Sequence, residues 1–392
     1  MKVLSVNAGS SSLKFRLYEM PEEKVLMKGT MDRIGLDGSN LSIRIGEEKI
    51  QKDIILNDHE DAVNALLKEL LEQGVINSLD EIKTVGHRIV HGGNLYSSSV
   101  IMNDRVIHEI ENISDLAPLH NPANLIGVRA FQKAIPTSIQ VGCFDTAFHQ
   151  TLKEEDYLYP VPYEWYIKYH IRKYGFHGLS HKFITEKMTD ILGKIPNLII
   201  CHIGNGASIS AVKQGKCIDT SMGFTPNAGI MMGTRSGDID SSIIPYIMNK
   251  CDMTVDEVMN DLNKKSGFLG ISGVGSDFRD IYAGVVAGNE RCKLAFDKYV
   301  KTVVNYIAQY YVELGGCDIL CFTAGLGENA SEARLAIMEK LACLGVKVDL
   351  EKNQIRGEEV KLTTDDSSII CYSIPTNEEL MIALDTLSLI GE

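Results

Sequence analysis

The sequence predicts an α/β protein built from two similar halves that face a cleft. Its 392 residues exceed what one hydrophobic core usually supports, so two domains are expected. A strand followed by a glycine-rich turn occurs three times, with turns at residues 7–12, 204–208 and 323–329. Each half also has the order strands, helix, strands, which indicates a weak internal duplication. Backbone N–H groups and hydroxyls in such turns suit a phosphate group.

Hydrophobic periodicity supplies the elements of the N-terminal half. Apolar and basic residues alternate over 13–17, which is typical of a strand with one buried face. Apolar residues at helical spacing over 60–73 predict a helix that ends at Gly74. The predicted strands of this half lie at 3–6, 13–17, 41–45, 84–87 and 139–145.

The C-terminal half begins after a segment rich in Tyr and Pro at 157–174, which contains the only tryptophan. We expect this segment to be an irregular connector, with the domain boundary near its start. Strands are predicted at 198–202, 209–212 and 318–322, and a long buried helix at 294–314. Capping boxes at Thr254 and Thr376 predict the starts of two more helices.

Charge and composition exclude several classes of partner. The net charge of −13 argues against nucleic acid and against an anionic membrane surface. No stretch approaches the roughly 18 consecutive apolar residues of a membrane span, and the N-terminus lacks the apolar core of a signal peptide. Nine scattered cysteines without a Cys-x-x-Cys pair favour a cytoplasmic protein with reduced thiols. A local cluster of Arg and His can still bind an anionic substrate.

Two arginines lie in glycine-rich segments, Arg88 within 86–93 and Arg235 within 233–240. A guanidinium group among glycines can approach a ligand closely, and its planar fork suits a phosphate or a carboxylate. Alternatively, Arg88 is an exposed turn residue and Arg235 forms a salt bridge with Asp238 or Asp240. Two such arginines in two halves favour an anion clamp.

Histidines and acids also fall near turns. We expect His177 to donate to ligand oxygens and His181 to be structural, and the absence of a helical His pair with an acid disfavours zinc. Asp145 ends a strand, where α/β sheets place functional groups. Glu378 opens the last helix, where an acid in the first turn is favoured by the helix dipole alone.

Phosphate-binding signatures of other families are missing or isolated. There is no Walker A motif and no protein-kinase motif set. Residues 325–330 match Gly-x-Gly-x-x-Ala between a predicted strand and a predicted helix at 331–344, and Asp349 ends the next predicted strand. This pattern supports an alternative, a Rossmann dinucleotide site. It leaves the other glycine turns, both arginines and the histidines unexplained.

Taken together, these motifs resemble the acetokinase family of the sugar kinase, Hsp70 and actin superfamily. The resemblance covers essentially the whole chain. Its matching segments are 7–14, 86–93, 117–122, 144–149, 174–178, 201–206, 232–238, 276–279, 322–325 and 375–379. Ser241 departs from the family, which usually has Pro after Arg-Ser-Gly-Asp-Ile-Asp.

The resemblance implies two duplicated domains of the ribonuclease H-like, actin and Hsp70 type around a hinged cleft. The N-terminal domain would comprise 1–150 and 380–392, and the nucleotide-binding domain 151–379. The implied reaction is reversible phosphoryl transfer from ATP to acetate, which gives acetyl phosphate and ADP and requires Mg²⁺, for which Mn²⁺ could substitute. A cytoplasmic homodimer without nucleic acid or membrane partners is expected.

Residue roles follow from motif position. Arg88 would hold the substrate carboxylate, and Asp145 is the family's acid/base residue. The implied catalytic residues are Arg88, Asp145, His177 and Arg235; the substrate residues Arg88, Val90, Leu119, His120, Phe176 and Pro226; the nucleotide residues Lys14, His202, Ile203, Gly204, Asn205, Gly206, Asp277, Phe278, Arg279, Gly325, Leu326, Gly327, Glu328 and Asn329; and the metal residues Asn7 and Glu378.

Elementary chemistry modifies one of these roles. A substrate carboxyl with a pKa of about 4–5 is already ionised at neutral pH, so the nucleophile needs no general base. We therefore expect Asp145 to orient Mg²⁺, its waters or an arginine. Three alternatives to acetate phosphorylation stay open: a propionate or short-chain acyl kinase of the same family, an NAD-dependent oxidoreductase, and an actin- or Hsp70-like ATP-binding switch module.

Overall fold

Two β-sheets carry the fold of the computed structural model, which describes residues 1–391. The chain divides into one unit formed by Met1–Gln150 and Asn377–Glu392 and another formed by Thr151–Thr376. They are called the first and the second unit below. Among the described residues, no helix combines the length and the apolar character needed to cross a lipid bilayer.

The strands belong to the first unit up to β8 and to the second unit from β9 onwards. They are β1 (Lys2–Ala8), β2 (Ser12–Glu19), β3 (Lys24–Asp32), β4 (Asn40–Ile45), β5 (Glu48–Asp53), β6 (Ile82–Ile89), β7 (Val100–Ile101), β8 (Ile139–Phe144), β9 (Leu198–Ile203), β10 (Ala207–Lys213), β11 (Lys216–Thr220), β12 (Ile319–Thr323), β13 (Val360–Lys361) and β14 (Ile370–Ser373).

The helices α1 to α3 and α14 belong to the first unit, and the others to the second. They are α1 (His59–Glu72), α2 (Asp104–Asn112), α3 (Asn121–Ala134), α4 (Glu154–Tyr157), α5 (Tyr163–Tyr169), α6 (Gly178–Leu192), α7 (Ile243–Cys251), α8 (Val255–Lys264), α9 (Gly267–Ser272), α10 (Phe278–Val286), α11 (Glu290–Leu314), α12 (Ala324–Asn329), α13 (Ser331–Lys340) and α14 (Glu378–Ile390).

The two sheets repeat one topology. The first has the order β5-β4-β3-β2-β1-β6-β8-β7 and the second the order β11-β10-β9-β12-β14-β13. In each, an antiparallel hairpin (β1–β2 or β9–β10) continues into parallel strands (β6 and β8, or β12 and β14), and a short antiparallel strand forms the edge. The predicted α/β fold class with duplicated halves is confirmed.

The structure corrects the third predicted glycine turn. Residues 324–329 form α12 rather than a turn, because Ala324 adopts a left-handed conformation (φ 64°) that leads the chain directly from β12 into the helix. Asp349 lies outside every strand, where its N–H donates to the carbonyl oxygen of Leu362 and its carboxylate pairs with Lys352. The acid that a Rossmann site places at the end of the strand after the glycine segment is therefore not there.

Several element boundaries also differ from the predictions. Residues 86–89 are the end of β6 rather than a turn, so Arg88 is a strand residue. The connector at 157–174 contains α5, and the long helix begins at Glu290, where Asn289 caps it. The cap of α14 is Asn377 rather than Thr376, because the Asn377 side chain accepts the N–H of Leu380.

Helices cover both faces of the first sheet. On one face, α1 and α3 bury an apolar cluster that includes Leu4, Val6 and Phe131. On the other face, α14 packs against β1, β6 and β8. The Ser5 hydroxyl donates to the carbonyl oxygen of Glu379 at 2.6 Å, which fixes the start of α14 on β1.

Gly86 is required at the closest approach of α14 to the sheet. A Cβ atom there would lie 2.4 Å from Ile382 Cγ2 and 2.4 Å from Thr386 Oγ1, far inside van der Waals contact. Side chains alternate along a strand, so Arg88 lies on the same face as Gly86, beside the start of α14. Asn7 lies two residues after Ser5, and Asp145 two residues after Cys143, so the same alternation places both on this face.

We predict that Gly86→Ala lowers the free energy of unfolding by about 1–3 kcal/mol, because α14 must move away from β6. Denaturant unfolding followed by circular dichroism measures this change. Gly325→Ala is the matched control, since a Cβ at Gly325 would meet no atom within 4 Å. Equal stabilities of Gly86→Ala and the wild-type chain would contradict the close packing of α14.

Candidate active site

Arg88 and Asp145 form the centre of the polar cluster in the first unit. Arg88 Nε donates to Asp145 Oδ1 at 3.0 Å, and Arg88 Nη2 donates to Asp145 Oδ2 at 2.5 Å. Such a two-point contact fixes the plane of the guanidinium group as well as its position. Asp145 is only 1% exposed, whereas the Arg88 side chain keeps 22% of its surface accessible.

Glu378 adds a second carboxylate to this cluster. Its Oε2 lies 4.0 Å from Arg88 Nε. Burial lowers the pKa of Arg88, but Asp145 and Glu378 raise it more, so its net shift is upward and the guanidinium stays charged. Burial also raises the pKa of Glu378 to about 7, although Arg88 opposes that shift. A further cation beside Glu378 would favour its ionised form.

The metal residues implied by the resemblance, Asn7 and Glu378, both lie in this unit. Asn7 is next to the end of β1 and pairs with Lys14 of β2, while the start of α14 is anchored on Ser5 of the same strand face. Amide and carboxylate oxygens are the ligand types that Mg²⁺ prefers. Within residues 1–391, no three His, Cys, Asp or Glu side chains cluster as a ready metal site. An ion here would need water and substrate oxygens to complete its coordination.

Two asparagines that the sequence analysis missed position the segment after Arg88. Asn124 Oδ1 accepts the N–H of Val90 at 3.1 Å, and its amide donates to the carbonyl oxygen of Ala8 at 2.7 Å. Asn121 bonds both the N–H and the carbonyl oxygen of His91. Both asparagines lie in the first turn of α3, so this helix start ties the end of β1 to the end of β6.

The implied substrate residues are distributed over both units. In the first unit, Val90 is buried, whereas Leu119 is 73% exposed and His120 is exposed, just before α3. In the second unit, Phe176 is buried directly before His177, and Pro226 is half-buried.

A histidine cluster organises the second unit around Ser208. His177 has a left-handed backbone (φ 58°) directly before α6, and its Nδ1 lies 2.9 Å from Ser208 Oγ. His181 Nε2 lies 2.7 Å from the same hydroxyl. The His202 ring stacks on His177 with centroids 4.1 Å apart. These contacts fix the orientation of the His177 ring.

Arg235 and His177 approach the same point beside Gly206. A Cβ atom at Gly206 would lie 3.4 Å from Arg235 Nη1 and 3.6 Å from His177 Nε2. Burial lowers the pKa of Arg235. The guanidinium group bonds the carbonyl oxygen of Pro226, and no carboxylate pairs with it among the described residues, so the alternative of a salt bridge to Asp238 or Asp240 is wrong. A partly buried cation without a counter-charge favours an anionic ligand.

A cavity of about 580 Å³ lies elsewhere in the second unit. Asp277 and Arg279 form a two-point ion pair at its edge, with Nη2 2.5 Å from Oδ2. Phe278 stacks on Tyr282 with ring centroids 6.0 Å apart. The implied nucleotide residues that line the cavity are Asp277, Phe278, Arg279, Gly325, Leu326 and Asn329. Tyr282, Ala283, Ala330, Glu332 and Arg356 also line it and were missed from sequence.

The other implied nucleotide residues do not line this cavity. Lys14 is an exposed residue of the first unit, and His202, Ile203, Gly204, Asn205 and Gly206 belong to the end of β9 and its turn. Gly327 and Glu328 are not lining residues either. The Glu328 carboxylate accepts the N–H of Thr376 at 3.0 Å rather than lining the wall.

Arg334 bonds residues next to the cavity-lining segment 325–330 and was not anticipated from sequence. It is fully buried and donates to the carbonyl oxygens of Gly327, Glu328, Asn353 and Ile355 at 2.6–2.9 Å. Burial lowers its pKa to about 10. One guanidinium group therefore bonds four backbone acceptors and ties the chain at 327–328 to the chain at 353–355.

The chain is similar in sequence to known proteins over nearly its whole length. A family model described as the acetokinase family matches residues 2–384. The acetate kinase of Geobacillus kaustophilus is 52% identical over 391 residues, which cover 99% of this chain and 99% of that protein. The sequence resemblance is thus present over the full length.

Solved structures show the same similarity in fold. The crystal structure of Porphyromonas gingivalis acetate kinase has a TM-score of 0.95 at 42% identity, covering 99% of both chains. A propionate kinase from Francisella tularensis has a TM-score of 0.93 at 41% identity, again over 99% of both chains.

Proposed function

The chain belongs to the acetokinase family, and on this basis we propose that it transfers a phosphoryl group reversibly from ATP to the carboxylate of acetate. The products are acetyl phosphate and ADP. The family predicted from the sequence motifs is confirmed, and with it a kinase whose acceptor is a carboxyl group.

The fixed guanidinium group of Arg88 is the observation that carries this proposal. Asp145 occupies Nε and Nη2, and Nη1 makes no hydrogen bond within the described part of the chain. The N–H groups of Nη1 are therefore available to a substrate carboxylate, whose position is fixed because the guanidinium plane is fixed. By motif position, the proposed residues around the acyl group are Val90, Leu119, His120, Phe176 and Pro226.

Asp145 acts in this proposal as a positioning residue. Its two oxygens are both engaged by Arg88, and an ionised acetate needs no base to become a nucleophile. The carboxylate thus aligns Arg88 instead of moving a proton.

Charge neutralisation on the transferring phosphoryl group would come from His177 and Arg235. Their Nε2 and Nη1 atoms approach one point beside Gly206, where phosphoryl oxygens could accept from both. Phosphoryl transfer depends mainly on positioning and electrostatic stabilisation. Asn7 and Glu378 would hold Mg²⁺, or Mn²⁺ in its place, which would neutralise phosphate charge.

The adenosine part of ATP would occupy the cavity at Asp277, Phe278 and Arg279. Its volume of about 580 Å³ lies within the range of small-molecule sites. Leu326 with its neighbouring glycines would line the wall, Lys14 would contact a phosphate, and the turn at 203–206 would lie along the phosphates.

We further propose a cytoplasmic homodimer that binds neither nucleic acid nor membrane. All nine cysteines are free thiols, which fits a reducing compartment, and the net charge of −13 opposes polyanionic partners.

A propionate or short-chain acyl kinase is the second candidate, and the 41% identity to a protein named propionate kinase favours it. The oxidoreductase alternative loses its main support because α12 replaces the glycine turn. An ATP-binding switch module binds no small carboxylate, so it would not explain the fixed guanidinium group of Arg88.

The activity test traps acetyl phosphate with hydroxylamine in reactions containing MgATP and acetate, propionate or butyrate. We expect acetate-dependent product. Arg88→Lys should lower kcat/KM by about a hundredfold, roughly 2.7 kcal/mol, because Lys cannot make the planar two-point contact. Arg129→Lys is the control, since Arg129 is a surface residue paired with Glu111. Absence of product with every acid would refute the proposed function.

The positioning role of Asp145 predicts that Asp145→Asn lowers kcat/KM for acetate without removing an ionisation from the pH–rate profile. The reason is that the amide keeps one acceptor for Arg88 but loses the charge that holds it. Measurement of kcat/KM between pH 5 and 9 for both proteins decides. An essential deprotonation that only the wild-type enzyme shows would instead make Asp145 a general base.

Val90 sets the size of the acyl pocket in this proposal. Val90→Ala should improve propionate relative to acetate by about 10-fold or more, because one methylene is worth roughly 1–3 kcal/mol in an apolar pocket. The ratio of the two kcat/KM values in the hydroxylamine assay measures this. Val85→Ala, which truncates a buried valine within β6 five residues before Val90, controls for general loosening. An unchanged ratio would show that Val90 does not border the acyl group.

A further inference from the structure

A groove of about 330 Å³ lies on the first sheet over β2, β3, β4 and β5. It is unusual in a chain with a net charge of −13, because its wall is strongly basic. The charged residues that line it are Lys14, Arg16, Lys28, Arg44, Lys49 and a single acid, Glu379.

Four of the cations form one row across the strands. Arg16 is directly opposite Lys28, Lys28 opposite Arg44, and Arg44 opposite Lys49. Directly opposite side chains in antiparallel strands have Cβ atoms about 5 Å apart, and like charges there are destabilising. The row therefore costs stability in the absence of an anion.

Only one of these cations is neutralised by the protein. Arg16 lies 3.5 Å from the Glu379 carboxylate and donates to Asn377 Oδ1 at 2.9 Å. Within the described residues, the side chains of Lys28, Arg44 and Lys49 make no ion pair or hydrogen bond. The groove thus keeps an excess of positive charge.

Hydroxyl groups lie between the cations. Thr30 of β3 is opposite Lys14 of β2 and opposite Ser42 of β4. The Thr30–Ser42 pair lies two residues along the strands from the Lys28–Arg44 pair. Neither hydroxyl has a side-chain hydrogen bond in the described part of the structure. Two hydroxyl donors flanked by ammonium and guanidinium groups match the donors that phosphate oxygens accept from.

Protection of a sheet edge explains only part of this pattern. Lysines on edge strands prevent edge-to-edge association, and β5 is an edge strand, so Lys49 fits that explanation. Lys28 and Arg44 lie on β3 and β4, which are paired on both sides. Their charges need another reason.

We propose that this groove binds an anion with two or three linked phosphate groups. The Lys28–Arg44–Lys49 row spans roughly 10 Å, two interstrand spacings, which is longer than a single phosphate can bridge. The volume of about 330 Å³ is at the small end of ligand sites. The proposal does not depend on the phosphotransfer function, since Lys28, Arg44 and Lys49 have no part in it.

Calorimetric titration with inorganic tripolyphosphate, without divalent cations, tests the site. Lys28→Glu/Arg44→Glu should weaken binding at least tenfold, about 1.4 kcal/mol. Lys24→Glu/Lys83→Glu changes the net charge equally on strands of the same sheet and should change binding far less. Equal weakening by both double variants, or none by either, would overturn the proposal.

Two further readouts separate a binding role from a structural one. Arg44→Glu alone should raise the melting temperature, because it replaces two like-charge contacts by attractive ones, while it weakens tripolyphosphate binding. A lowered melting temperature with unchanged binding would mean that Arg44 is structural. Acetate-dependent kinase activity should persist in Lys28→Glu/Arg44→Glu at saturating substrate, so failure of this proposal and of the proposed function are distinguishable.

The source of the linked phosphates is resolved by a second titration, with ATP. If the groove accepts the tail of a nucleotide, the wild-type chain binds one more ATP than Lys28→Glu/Arg44→Glu does. If it accepts only free oligophosphate, both bind the same number. Tripolyphosphate binding that Arg235→Ala abolishes and Lys28→Glu/Arg44→Glu leaves intact would place the anion at Arg235 and refute the groove.

Discussion

The packing of α14 against β6 at Gly86 is the constraint on which the first unit's site depends. Because Gly86 has no side chain, the helix approaches the sheet closely enough for its first residue, Glu378, to lie 4.0 Å from Arg88. Ser5 of β1 and Arg16 of β2 donate to Glu379 and Asn377 at the helix start. Arg88 and Glu378, which are 290 residues apart in the sequence, thus lie together where α14 covers the sheet. A cluster of opposite charges can be kept partly buried there because each group has a partner.

The two arginines of the candidate site are held in different electrostatic states. Arg88 is compensated by Asp145 and Glu378, and its pKa is raised although burial opposes this. Arg235 is bonded to a carbonyl oxygen, and burial lowers its pKa without a compensating carboxylate. A compensated arginine is suited to aligning a weakly basic carboxylate with little change in charge. An uncompensated one is suited to a group that brings several negative charges with it.

The local placement of positive charge also explains how a chain with a negative net charge can bind anionic ligands. The charges that sum to −13 are spread over the whole surface, and in physiological salt each of them is screened beyond roughly 8–10 Å. Within that distance, the groups that matter are those that the strands bring together, such as Arg88 at the end of β6 or the basic row over β2 to β5. Net charge therefore excludes extended polyanions more readily than compact phosphates.

Sequence by itself determined the fold class, the family and most of the segments that carry polar groups. Alternating residues in β2 and helical spacing in α1 gave correct elements because periodicity records which face is buried. The glycine segments were located, but their conformations were not: Gly86 is in a strand against a helix, and the segment from Ala324 is helical. Composition alone does not distinguish a glycine needed for a turn from one needed for close packing.

Only the tertiary structure decided which groups meet. Asn121, Asn124 and Arg334 were not predicted as site residues because their role lies in hydrogen bonds to backbone atoms of distant segments, and backbone acceptors leave no residue-type signal. Likewise, Lys28, Arg44 and Lys49 are ordinary surface residues until strand register sets them opposite one another. Periodicity fixes the face on which a side chain lies, whereas its neighbours across strands depend on pairing and helix packing.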